Sequence, residues 1–132
     1  MNELNLLAVL LAALSSFLVG GLWYSPALFG RAWNLESGRD PKGEAGGHPA
    51  KVFGLSFLFS LVAALAFAWW LGPAPPLGHA LSHGLVAGAA LVAASFGINY
   101  QFANRSFKLW LIDGGYHTVQ FVLFGLVLGL WH

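Results

Sequence analysis

The stretch LWLIDGGYHTVQFVLFGLVLGLW, residues 109–131, decides the fold. It is an apolar run interrupted by one carboxylate, Asp113. Crossing about 30 Å of hydrocarbon takes roughly 20 residues of helix at 1.5 Å per residue. No water in a bilayer satisfies backbone N–H and C=O groups, so such a run is most simply a helix. Three more runs of similar length precede it, near residues 4–24, 52–71 and 77–100. The expected architecture is all-α: a four-helix transmembrane bundle forming one integral membrane domain over residues 1–132.

Composition agrees. Of 132 residues, 58% are hydrophobic and only 8% charged. Soluble domains are about a quarter charged, so this chain cannot cover a water-facing surface. Its richness in Leu, Ala, Phe and Trp excludes disorder. The absence of cysteine excludes a disulfide scaffold or a thiolate metal site. The first run lacks the basic leader of a signal peptide and ends in Trp23-Tyr24, an interfacial pair, so it reads as a retained helix.

The six basic residues set the expected orientation. Arg31, Arg39, Lys42 and Lys51 lie between runs one and two, and Arg105 and Lys108 lie between runs three and four. Both loops fall on one side, which the positive-inside rule makes cytoplasmic. The expectation is therefore a bacterial inner-membrane protein with both termini and the Gly72-Pro73-Ala74-Pro75-Pro76 turn outside. The loop 25–51 divides in two. Ser25-Pro26 reads as a cap and first turn. Leu28, Phe29, Ala32 and Trp33 then make one face of a short interfacial helix. Asn34 to Gly47 is polar, Gly-rich connector.

Small residues mark where membrane helices approach closely. Ala12, Ser16 and Gly20 are four apart in run one. Gly84 and Gly88 lead toward Ser95 and Asn99 in run three. Gly125 and Gly129 lie near the Gly114 and Thr118 face in run four. Such faces suit contacts within one chain or in a homodimer, and a homodimer or higher homo-oligomer is expected. The endings Gly21-Leu22-Trp23-Tyr24 and Gly97-Ile98-Asn99-Tyr100 suggest two parallel hairpins from an internal repeat.

A charge inside a span calls for a functional explanation first. At helical spacing Asp113, Tyr116, His117 and Gln120 share a face. Asn99, Trp23 and Tyr24 lie at the same depth, with Arg31 and Arg105 just beyond. These nine residues form the candidate ligand-binding site. Asp113 and His117 could exchange protons or hold a cation or headgroup. Equally, the same residues could be a hydrogen-bonded knot, with Asp113 held by Arg105, Arg31 or Tyr24. His79 and His83, four apart, with His132 as the remaining nearby imidazole, do not complete a metal site, so no metal and no cofactor is expected. The six tryptophans fall near span ends, as an aromatic belt. There is no catalytic motif and no basic surface for nucleic acid.

The run Trp23-Tyr24-Ser25-Pro26-Ala27-Leu28-Phe29-Gly30-Arg31-Ala32-Trp33 resembles the WYSP-x-x-FG-[KR]-x-W motif of the small bacterial membrane proteins grouped as domain-of-unknown-function family 1761. Asn99-Tyr100-Gln101-Phe102, Arg105 and Leu111-Ile112-Asp113-Gly114-Gly115-Tyr116-His117, then Gly125 to Trp131, are similar to that family's closing motif. The resemblance covers essentially the whole chain and implies four spans and no established chemistry. Where the family often carries an acidic residue near position 103, this chain has Ala103. The functional expectation is a non-enzymatic membrane protein that binds or moves a small solute or ion. The alternative is a structural or partner-binding subunit. A membrane enzyme acting on lipid-borne groups is the third reading.

Overall fold

The computed structural model describes residues 5–38 and 49–131, in which every regular element is helical. Helix α1 spans Leu6–Trp23, α2 spans Gly30–Ser37 and α3 spans Pro49–Leu71. Helix α4 runs continuously over Leu77–Phe102, with a π-helical segment at Val86–Ala93, and α5 spans Phe107–Leu130. Helices α1, α3, α4 and α5 are long and apolar enough to cross a membrane. Residues 1–4, 39–48 and 132, including Leu4, Arg39, Lys42, most of the Gly-rich connector and His132, lie outside the described residues.

Local chemistry sets the boundaries. The Asn5 side chain accepts from the Ala8 N–H and the Ser106 hydroxyl from the Leu109 N–H, each at 3.0 Å, capping α1 and α5. The proline turn between α3 and α4 uses Gly72 at φ +83°. Asn104, at φ +56°, reverses the chain between α4 and α5 in a conformation Asn tolerates better than most residues.

The short helix after the first span exists but begins four residues later than the Ser25-Pro26 cap implied. The Ser25 hydroxyl donates back to the Leu22 carbonyl instead of capping forward. The Leu28 and Gly30 N–H groups both donate to the Ser25 carbonyl, winding 25–29 into a tight turn. Gly30 makes this possible: a Cβ there would sit 2.5 Å from the Tyr24 carbonyl oxygen. The helix also outlasts the expected break at Asn34. It ends at Gly38, whose φ of +83° and N–H bonds to Asn34 and Leu35 carbonyls make a left-handed C-terminal cap.

Helix α5 is the centre of the bundle. Its apolar window is 39% buried, against 22–28% for the other three spans. It runs antiparallel to α1 on one side and to α4 on the other, so α1 and α4 are parallel. The α4–α5 seam is made by glycines. A Cβ on Gly84 would collide with the Phe121 carbonyl, one on Gly125 with the Ala80 carbonyl, and one on Gly88 would lie 2.6 Å from Thr118 Cα. The small-residue faces of runs three and four therefore meet each other within one chain.

Helix α3 is the outlier. It packs on α1 through Phe17 against Phe53 and Phe57, and through a Ser16–Ser60 hydroxyl pair at 3.2 Å. It reaches α5 through Phe67, which packs on Phe121 and Phe124, and α4 through Trp70 against His83 near the proline turn. Away from that turn α3 stands off from the α4–α5 pair. Arg31, Lys51, Arg105 and Lys108 all sit at the opposite end of the bundle, called the basic end below.

Candidate functional site

Asp113 is 7% exposed, on the second turn of α5. Its two oxygens are taken by two phenols. Tyr24, capping α1, donates to Oδ1 at 2.6 Å, and Tyr100, near the end of α4, donates to Oδ2. The two tyrosines occupy the same place in the matching tetrads 21–24 and 97–100. Two parallel helices thus grip one carboxyl group from opposite sides.

Indole groups reinforce this clamp. Trp23 Nε1 donates to the Ile112 carbonyl at 2.9 Å, and Trp110 Nε1 to the Ala93 carbonyl at 2.7 Å. Tyr116 packs closely against Gly20 and donates to the Ser16 carbonyl at 3.0 Å. Tying main-chain carbonyls to indole and phenol donors locks the basic ends of α1, α4 and α5 together.

Of the expected site residues, Tyr24, Trp23 and Tyr116 converge with Asp113 as read. Asn99 does not: it is exposed. The reason is the π segment. Its wider turn adds one residue to the register of α4. The face that begins Ala80, Gly84, Gly88 continues through Ala93, Gly97 and Tyr100 rather than through Ser95 and Asn99. Arg105 points elsewhere too, with Nη1 donating to the Ser37 carbonyl at 2.9 Å. That bond ties the C-terminus of α2 to the α4–α5 turn, where a cation suits the helix dipole. Arg31 is exposed on α2. Neither arginine pairs with Asp113. His79 and His83 stack at 3.9 Å with His83 Nδ1 turned to the His79 carbonyl, and no group of three metal-ligating side chains occurs among the described residues.

His117 and Gln120 belong to a different place. His117 Nδ1 lies 2.8 Å from Gln120 Oε1, and the imidazole packs against Phe96. Both residues line a cleft of about 710 Å³ between α3 and α5, walled by α1. Its apolar wall includes Phe17, Phe53, Phe59, Val92 and Phe121, and its polar lining includes Ser56, Ser60, Tyr24 and Tyr116. No Lys, Arg, Asp or Glu among the described residues lines it. The shared face of α5 therefore serves two purposes. Asp113 is used up in the clamp, while His117 and Gln120, one and two turns further along, head the cleft. A smaller cavity of about 280 Å³ lies between α3 and α4, against Phe67 and Leu91. Nothing in the sequence signals the cleft, because it arises from the stand-off of α3 and not from any motif.

Four membrane-length apolar helices with a buried carboxyl clamp define a multi-pass α-helical membrane protein. More particularly, the chain belongs to the DUF1761 family of proteins of unknown function, whose family model matches residues 7–129. No curated protein and no solved structure matches it.

Proposed function

We propose that the protein is a non-catalytic membrane protein that binds a small molecule in the α3–α5 cleft, with Asp113 serving the fold rather than the ligand. The observation that carries this reading is the cleft itself. Its volume of about 710 Å³ lies in the usual range of small-molecule sites, about 300–1,000 Å³. It is mostly apolar with a few convergent polar groups, which is the ordinary make-up of such a site. Asp113, by contrast, has both oxygens hydrogen-bonded and does not line the cleft. Ion transfer through Asp113 would first require breaking the clamp that holds three helix ends.

The proposal places the protein in a bacterial inner membrane with its basic end in the cytoplasm, following the loop charges. It needs no second copy of the chain.

A photoactivatable alkyl diazirine, uncharged, tests the reading in lipid nanodiscs. Labelling of Phe53, Ser56 and Val92 is expected to saturate with probe concentration. Filling the cleft by Ser56→Trp should abolish it without lowering Tm. Labelling that rises without limit, as at the exposed Leu11 and Leu18, would mean that the cleft is only lipid-facing surface.

A further inference from the structure

We infer that the cleft selects an uncharged amphiphile whose polar end is a hydroxyl, or another neutral group able both to donate and to accept, held by His117 and Gln120. This rests on the reading of the cleft as a ligand site and names the ligand's chemistry.

The pair itself carries the argument. Gln120 is 6% exposed, yet its side chain makes one hydrogen bond, to His117. Among the described residues no fully buried side-chain N or O lacks a partner, so the remaining amide atom of Gln120 is not sealed in protein, and Gln120 lines the cleft. The amide and imidazole can pair in two ways. If His117 Nδ1–H donates to Gln120 Oε1, then His117 Nε2 is left as an acceptor and the Gln120 NH₂ as a donor. If the amide is turned, its NH₂ donates to His117 Nδ1, leaving Gln120 Oε1 as an acceptor and His117 Nε2–H as a donor. Either way the pair offers the cleft both a donor and an acceptor. A hydroxyl answers both at once. An ether or ester answers only the donor.

A charged head finds no carboxylate, ammonium or guanidinium partner among the described lining residues. Among the described residues, a phosphate or carboxylate head would meet an apolar lining without Lys or Arg, and an ammonium head one without Asp or Glu. An unpaired charge in such surroundings is heavily penalised. Ser56, exposed on α3 beside the cleft, adds a hydroxyl that can serve as either donor or acceptor. The remaining wall of Phe, Val and Ala suits a hydrocarbon body. The stand-off of α3 from the α4–α5 pair lets that body come from the bilayer.

The test is competition against the diazirine probe in neutral-lipid nanodiscs, with competitors counted as mole fraction in the membrane. Dodecanol, dodecane, dodecyl phosphate and dodecyltrimethylammonium share one chain and differ at the head. Dodecanol should compete about tenfold better than dodecane, the effect of roughly one well-made hydrogen bond. The two ions should compete no better than dodecane. Gln120→Leu and His117→Phe should each bring dodecanol to the level of dodecane measured on the same variant. Equal competition by dodecane and dodecanol in the wild type would overturn the selectivity while the cleft stood. Stronger competition by either ion would also overturn it. Failure of all four to compete would bring down the ligand site as well. The wild-type series decides the matter even if a variant fails to fold.

Discussion

At Asp113 three helices are joined through one side chain, and the arithmetic of donors and acceptors predicts what each substitution does. Tyr24→Phe or Tyr100→Phe leaves one carboxyl oxygen without its donor. Each should destabilise the bundle by about 1–3 kcal/mol, the range for stranding one partner of a buried hydrogen bond. Asp113→Leu strands both phenols and should cost more than either. Asp113→Asn exchanges one acceptor for a donor, and a phenol can turn to accept from it, so this change should be the mildest. Unfolding in mixed micelles measures the order. In the Asp113→Leu background Tyr24→Phe should cost less than it does in the wild type, because the bond it removes is already gone. Strict additivity would show that the residues do not act as a unit. The sequence made Asp113, Tyr24, Trp23 and Tyr116 legible, since each follows from depth and α-helical spacing. Tyr100 was hidden because ideal spacing from Gly88 arrives at Asn99.

Elements show where the legibility stops. The four spans follow from hydrophobic run length, and their observed ends lie within three residues of the expected ones wherever both are described. The π segment has no comparable signature. Val86–Ala93 contains no Pro and no polar residue to mark a break. Its consequence can be tested by deletion. Removing Leu91, which is 56% exposed, takes out the surplus residue and lets α4 continue as an α-helix with Tyr100 still on Asp113. Removing Ile98, 60% exposed but beyond the π segment, turns Tyr100 about 100° away from Asp113. Leu91 deletion should be tolerated and Ile98 deletion should destabilise about as much as Tyr100→Phe or more, by roughly 1–3 kcal/mol. Equal losses would argue against a one-residue register shift. The glycines of the α4–α5 seam give a second test. Gly84→Ala and Gly125→Ala must push two backbones apart, at a cost of about 1–3 kcal/mol or more. Gly54→Ala on α3 meets nothing within 4 Å and should be neutral or stabilising by up to about 1 kcal/mol, from helix propensity. Thermal unfolding of the three variants side by side separates packing glycines from incidental ones.

For the whole molecule, the charges and the clamp describe the same end of the bundle. Arg31, Lys51, Arg105 and Lys108 gather at the basic end, where Tyr24, Tyr100 and Asp113 also lie. The opposite end carries the proline turn, the His79–His83 stack and no Lys or Arg among the described residues. In a protein with 8% charged residues this asymmetry is the strongest orienting signal available. It predicts a single orientation with the basic end inside. The absence of cysteine makes the test clean, because any thiol introduced is the only one. Ala74→Cys sits in the proline turn and Asn104→Cys in the basic-end turn. An impermeant maleimide added to spheroplasts should label the first and spare the second until the membrane is permeabilised. Labelling of both at similar rates would mean that the chain inserts both ways. Reversed labelling would place the clamp in the outer half of the bilayer, and the cleft, which shares Tyr24 and Tyr116 with it, would draw its ligand from that leaflet instead.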